Sequence, residues 1–274
     1  MATRMLVPVG DLSLSVQVAG SGPPLLLVHA YPLRSELWEA QIRTFAATRR
    51  VIAPDLRGFG ESGVPSSAAA VSMSQYADDL AEVLNALGVA VPVSYVGVSM
   101  GGYIGWEFAR RHRDRVSGLV AVCTTPAEDD AAGRQKRESI AGAVLTDPNA
   151  TLQPLPKSLL GRTSRQARPE LLTRVSRWIE RTDPVAIAAA QLGMADRRPH
   201  FDWLARTDLP VLAVAGEEDT FIRADDVRDW SRTVRNGRFE VIDGAGHLPM
   251  LEQPAAFNAT LQSFLDTLDA AGPA

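Results

Sequence analysis

The sequence is poor in the residues that build covalent or metal-based scaffolds. One cysteine, Cys123, stands among 274 residues, which excludes an internal disulfide and a cysteine metal cluster. The four histidines, at positions 29, 112, 200 and 247, show neither H-x-x-H nor H-E-x-x-H spacing, so no metal site is expected. Lysine is nearly absent: Lys136 and Lys157 are the two exceptions among 28 basic residues, the rest being arginine. These cations are scattered among 32 acidic residues for a net charge of −4, and no basic stripe is available to neutralise a phosphate backbone. Nucleic acid is therefore not an expected partner. Long apolar runs are missing too. The opening MATRMLVPVG lacks a charged segment followed by an apolar one, and the run Leu25–Val28 is far too short to span a bilayer. The expectation is a cytoplasmic protein that engages no membrane.

What is present is an ordinary globular balance, with 46% apolar and 22% charged residues, enough to bury a full sheet-and-helix core. Short apolar runs alternate with helical patterns, the signature of a mostly parallel α/β sheet. Strands are expected at Met5–Val9 and Leu12–Val18, as a hairpin closed by the Gly20–Pro24 turn, then within Pro24–His29 and Arg50–Leu56. Further strands fall at 91–96, Val116–Cys123, 210–215 and 238–242, eight in all. Ser35 is placed to cap one helix, Ser72 or Ser74 a second, and a C-terminal helix from Pro254 stacks Phe257, Leu261, Phe264 and Leu265 on one stripe. From about Pro126 to Arg206 no strand pattern occurs, only helical ones. Residues 127–206 therefore read as a helical cap inserted in a core made of 1–126 and 207–274.

Gly97-Val98-Ser99-Met100-Gly101 matches G-x-S-x-G between an expected strand and an expected helix, the context a nucleophile elbow requires. An unassisted serine is a poor nucleophile and needs a base within hydrogen-bond reach. His247, in the loop Gly244–Pro249 after the last strand, is the leading candidate. A carboxylate must then hold the imidazole. Glu217, Glu218 and Asp219 all follow the strand PVLAVAG and compete for that role, with Glu128 and Asp129 as weaker alternatives. The oxyanion needs preorganised donors: the amide of Met100 supplies one, and the loop after LLLVH, through Tyr31, the other. Asp55 and Arg57 read as satisfying backbone groups in a tight turn, and Cys123 as a small core residue inside a strand. Arg162, Arg165, Arg168 and Arg174 read as a solvated helix face, with a substrate carboxylate as the alternative partner.

Five stretches, LLLVHAYPLRSELW, VIAPDLRGFGES, YVGVSMGG, VLAVAGEEDTFI and VIDGAGHLPMLEQPAAFN, together resemble the α/β-hydrolase fold superfamily over essentially the whole chain. The combination of HAYPL, SMGG and GAGHLPMLEQP is most similar to its carboxylesterase and 3-oxoadipate enol-lactonase branch. The resemblance implies an eight-stranded, mostly parallel sheet flanked by helices, with an inserted cap. It implies Ser99, Asp219 and His247 as the triad and Tyr31 and Met100 as oxyanion donors. One departure is that His29-Ala30 stands where the branch has His-Gly. Ala30, Leu248 and the cap residue Trp178 are the expected substrate-lining residues. The implied activity is cofactor-free hydrolysis of a small carboxylic ester or lactone through an acyl-enzyme. A C–C bond hydrolase, a perhydrolase or haloperoxidase on the same triad, and a slow-turnover ligand receptor are the alternatives. An apolar cap exposed to solvent would suit a homodimer.

Overall fold

The structure, a computed structural model, describes residues 2–271. Strands β1 (Thr3–Val9) and β2 (Leu12–Ala19) form an antiparallel hairpin, followed by β3 (Pro24–Val28), β4 (Arg50–Pro54), β5 (Val93–Val98), β6 (Val116–Val122), β7 (Val211–Gly216) and β8 (Gly237–Ile242). They make one eight-stranded sheet in the order β1-β2-β4-β3-β5-β6-β7-β8, with every pair from β4 to β8 parallel. The hairpin turns at Gly10-Asp11, where Gly10 takes φ +54°. The Gly20–Pro24 stretch instead carries the chain from β2 into β3, so the denser Gly/Pro cluster is a connection and not the hairpin turn.

Helices α1 (Glu39–Phe45) and α2 (Met73–Ala86) flank β4, and α3 (Met100–Arg111) follows β5 directly. Ser72 caps α2 by accepting the Gln75 N–H at 3.1 Å. Ser35 does not cap: it opens a 3₁₀ turn, Ser35–Trp38, and its own N–H is held by Asp55 Oδ1 at 2.7 Å. Between β6 and β7 every described element is helical: α4 (Ala131–Thr146), α5 (Pro148–Leu152), α6 (Leu155–Leu159), α7 (Arg162–Ala167), α8 (Glu170–Glu180), α9 (Pro184–Ala195) and α10 (Phe201–Leu204). Helices α11 (Ala224–Ser231), α12 (Pro249–Glu252) and α13 (Pro254–Ala270) complete the chain. No described helix is long and apolar enough to cross a membrane.

Strands β3, β5 and β7 are buried along their whole length, as parallel strands covered on both faces must be. Side-chain alternation sorts β3 between two cores. Leu26 and Val28 pack with Tyr76, Leu80 and Ile104 of α2 and α3. Leu25 and Leu27 pack with Phe45 of α1 and Phe257 and Leu261 of α13.

Strand order reverses between β3 and β5, whose neighbours in sequence run outward in opposite directions. In open parallel sheets such a switch point leaves a crevice beyond the carboxyl ends of the strands. Register brings those ends level: Val28 pairs Gly97, Val98 pairs Val122, Val122 pairs Val214, and Gly216 pairs Ile242. Tyr31, Ser99, Cys123, Asp219 and His247 each lie within five residues of these ends.

Candidate active site

Ser99 links β5 to α3 with φ 55° and ψ −114°, a backbone that a side-chain-bearing residue adopts only under constraint. The constraint is visible. The Ser99 N–H donates to Val122 O at 2.9 Å, and its carbonyl accepts from Gly102 N–H at 2.8 Å and from the Thr124 hydroxyl at 2.9 Å. Two glycines make the turn possible. A Cβ at Gly97 would stand 2.2 Å from Gly101 O, and one at Gly101 would stand 2.4 Å from Val28 O. Close backbone approach therefore sets the start of α3 against the end of β3.

His247 and Asp219 meet directly, with Nδ1 2.7 Å from Oδ2 and both side chains buried. The carboxylate can only accept here, so Nδ1 carries a proton, and it is Nε2 that holds the lone pair whenever the ring is in its neutral form. Asp219 Oδ1 takes the Phe221 N–H at 2.8 Å. Burial pushes the Asp219 carboxyl up, but the His247 charge and hydrogen bond and the N–H groups of Phe221 and Ile222 outweigh it. The net position is below the ordinary carboxylate range. The competing acids face elsewhere: Glu217 accepts from Gly244 N–H, Glu218 from Thr163, Glu128 from Arg134, and Asp129 binds Arg137 and Arg197. Among the described residues, no hydrogen bond joins Ser99 Oγ to His247 Nε2. A nucleophile–base contact commonly tightens only when substrate binds.

Cys123 lies one residue past β6 rather than inside it, at φ +46°. Its Sγ, a carboxylate oxygen of Asp219 and a ring nitrogen of His247 lie within 4.8 Å of one another, a spacing that a metal ion could use. Burial first, and then the Asp219 charge, hold the thiol well above its usual range. An ion would have to strip that proton and break the His247–Asp219 bond.

The Tyr31 N–H and the Met100 N–H have no protein acceptor among the described residues. Met100 is the first residue of α3, where unpaired amides and the helix dipole favour negative charge. The loop carrying Tyr31 is fixed by His29, whose Nδ1 donates to Ala30 O and whose Nε2 accepts the Leu56 N–H, both at 2.9 Å. Burial lowers its pKa and keeps it neutral. Asp55 supports the same loop, accepting Ser35 N–H on one oxygen and, on the other, Glu61 N–H and the Arg4 guanidinium at 2.8 Å. Arg57, expected to bind backbone, instead pairs with Asp79 and Asp11.

Of the expected substrate-lining residues, Ala30 and Leu248 are fully buried and their side chains offer no surface to a ligand. Trp178 is 8% exposed and carries the Arg174 guanidinium over its ring at 4.8 Å. The four arginines expected on a solvated face keep part of that exposure, Arg162 being 71% exposed, but each also has a partner within the protein. Arg174 reaches Glu39, Arg162 reaches Glu218, Arg165 reaches the carbonyls of Lys157 and Leu160, and Arg168 those of Leu251 and Glu252. Two residues without an expected role border the site. Phe221 is 47% exposed with its ring 5.1 Å from that of His247, and Glu252 is buried behind the His247 loop.

The family profile for the alpha/beta hydrolase fold matches residues 23–254. The chain belongs to that family. It is similar, at 33% identity and a TM-score of 0.93 over 97% of this chain and 99% of the other, to a thermophilic esterase from Thermogutta terrifontis solved with malate bound. An enzyme solved as degrading N-acyl homoserine lactones is 28% identical, with a TM-score of 0.83 over 95% of this chain and all of that one. Among curated proteins, the pimeloyl-[acyl-carrier protein] methyl ester esterase of Aeromonas hydrophila is 26% identical over 263 residues, covering 93% of this chain and 100% of its own. The chain is thus an enzyme of a hydrolase family whose neighbours are of esterase and lactonase type.

Proposed function

We propose that this enzyme is a serine hydrolase of small carboxylic esters or lactones, working through an acyl-enzyme. The carrying observation is the buried His247–Asp219 hydrogen bond at the same sheet edge as Ser99 on its strained turn. The chain order Ser, Asp, His is the one that hydrolases on this sheet use. The esterase at 33% identity supports the reaction class, and the lactone-degrading neighbour supports keeping lactones in the substrate range.

In this reading Ser99 Oγ attacks the ester carbonyl while His247 Nε2 takes its proton. Asp219 holds the imidazole in the Nδ1–H tautomer and stabilises the imidazolium that forms. The oxyanion rests on the amides of Tyr31 and Met100, each such donor being worth about 10²–10³ in turnover. His247 then gives its proton to the departing alcohol or enol. Water activated by the same nitrogen releases the acid. Residues 127–206 serve as the cap that shapes the pocket for a small-molecule substrate.

The test is hydrolysis of p-nitrophenyl esters from acetate to octanoate by wild type and Ser99→Ala. Loss of turnover on the order of 10⁶-fold is expected if the three residues act as a unit. A mutant that keeps more than about a tenth of the wild-type rate overturns the serine mechanism.

A further inference from the structure

The loop that carries His247 is held by something other than its catalytic neighbours. Three consecutive backbone N–H groups, those of Gly246, His247 and Leu248, are all tied. Glu252 Oε1 takes Gly246 N–H at 2.9 Å and Leu248 N–H at 3.0 Å, on either side of the imidazole-bearing residue. The His247 N–H itself donates to Leu159 O at 3.1 Å, in the segment between β6 and β7. The second oxygen of Glu252 crosses to that same segment and accepts Gly161 N–H at 2.7 Å. Glu252 is 1% exposed, so these are its solvation.

The two backbones also touch without side chains between them. A Cβ on Gly161 would stand 2.7 Å from Gly246 N, and one on Gly246 would stand 2.3 Å from Gly161 N. On its far side Gly246 O lies where a Cβ of Gly216, at the end of β7, would fall, at 1.9 Å. The acid-bearing loop is stitched to the same place: Glu218 accepts the N–H and hydroxyl of Thr163 at 2.8 and 2.7 Å, and donates its own N–H to Ala245 O at 2.7 Å.

We propose that Glu252 and the cap segment 159–163 which it anchors are the positioning device for His247. The cap on this side is a fixed wall that sets the height of the base over Ser99. The claim rests on the reading of His247 as general base. Its physical content is that the Asp219 bond fixes the ring on its loop, so the imidazole follows its backbone, and that backbone is clamped by the Glu252 carboxylate, the Leu159 carbonyl and the Gly161–Gly246 contact. A displacement of about 1 Å at such a point costs on the order of 10²-fold in rate.

Two variants approach the device from opposite sides. Glu252→Gln keeps the shape but turns an N–H donor toward one of the three amides. Gly161→Ala inserts a methyl 2.7 Å from both Gly246 N and Glu218 Oε2, pressing on the same loop junction while altering no catalytic side chain. Both are compared with wild type and with Gly142→Ala, a cap substitution into open space, by circular dichroism, steady-state kinetics and the downfield proton resonance of His247 Nδ1–H, assigned by its loss in His247→Gln. The expected result for folded Glu252→Gln and Gly161→Ala is a kcat reduced about 10- to 100-fold with KM within about twofold, together with a shifted or broadened resonance. Gly142→Ala leaves all three unchanged. An unmoved resonance and wild-type kcat in either folded variant, or a loss confined to KM, overturns the proposal. If Glu252→Gln does not fold, Gly161→Ala alone decides. The resonance is independent of turnover, so a failure of the Ser99 mechanism would show in Ser99→Ala while the positioning claim is still read from the proton.

Discussion

His29 accepts the Leu56 N–H on Nε2 and donates its single ring N–H, at Nδ1, to the carbonyl of Ala30, joining the ends of β3 and β4 through a neutral, fully buried imidazole. His29→Ala removes both partners at once and leaves a cavity beneath Tyr31. A destabilisation of about 2–4 kcal/mol is expected from urea unfolding. Turnover of the folded fraction should fall as well, because the Tyr31 amide loses its support. Stability within about 0.5 kcal/mol of wild type would show that the imidazole is not a structural joint.

Acid should weaken the fold before its carboxylates titrate. Burial pushes His200 down to about 4 from 6.5, with Glu107 partly opposing, and His29 is lowered by burial too. Above the ordinary histidine range neither state binds these protons, and their contribution is fully present. As pH falls below it, the unfolded chain takes protons that the folded chain refuses. Stability is then lost by up to about 1.4 kcal/mol per pH unit for each such group. Denaturant unfolding of wild type and His200→Gln between about pH 7 and pH 5 checks this, the variant being flatter by one proton's slope. Parallel curves would remove His200 from the account.

The assignment of the acid separates two variants. Asp219→Asn should lower kcat on the order of 10⁴-fold with little change in fold, since it spoils the tautomer of His247. Asp129→Asn should instead reduce the thermal midpoint by loosening Arg137 and Arg197, with kcat near wild type. The reverse pattern would move the acid to the end of β6.

Glycine substitutions should split by what the added methyl meets. Gly97→Ala drives a Cβ into Gly101 O and is expected to cost more than about 3 kcal/mol or abolish folding. Gly142→Ala, inside α4 with nothing near its Cβ, should stabilise by about 0.5–1 kcal/mol. Thermal denaturation ranks the two, and equal effects would contradict the close approach at the turn.

The strands of this sheet were legible because β3 and β7 are nearly unbroken apolar runs, one followed by His29 and the other ended by Gly216, and because β5 runs straight into the Gly97–Gly101 turn. The placement of the candidates Ser99 and His247 past strand ends was legible, since each follows a segment that forms a strand. The choice among Glu217, Glu218 and Asp219 was not a matter of pattern: three adjacent carboxylates differ only in where the turn points them, and the structure aims Glu217 at Gly244, Glu218 at Thr163 and Asp219 at His247. Glu252 left no trace because its partners are backbone amides, which every sequence has. The hairpin turn was misplaced because Gly20–Pro24 is richer in turn formers than Gly10-Asp11, although only the latter sits between paired strands.

Arg4 belongs to the outermost strand, yet its guanidinium caps the buried Asp55 that holds Ser35 N–H at the far end of the Tyr31 loop. The start of the chain is therefore two hydrogen bonds from the loop that would receive the oxyanion. Unpairing β1, by trimming it or by a fusion that competes for its edge, would take the Arg4 guanidinium from the buried Asp55, leave that carboxylate to the Ser35 and Glu61 amides, and loosen a loop about thirty positions downstream.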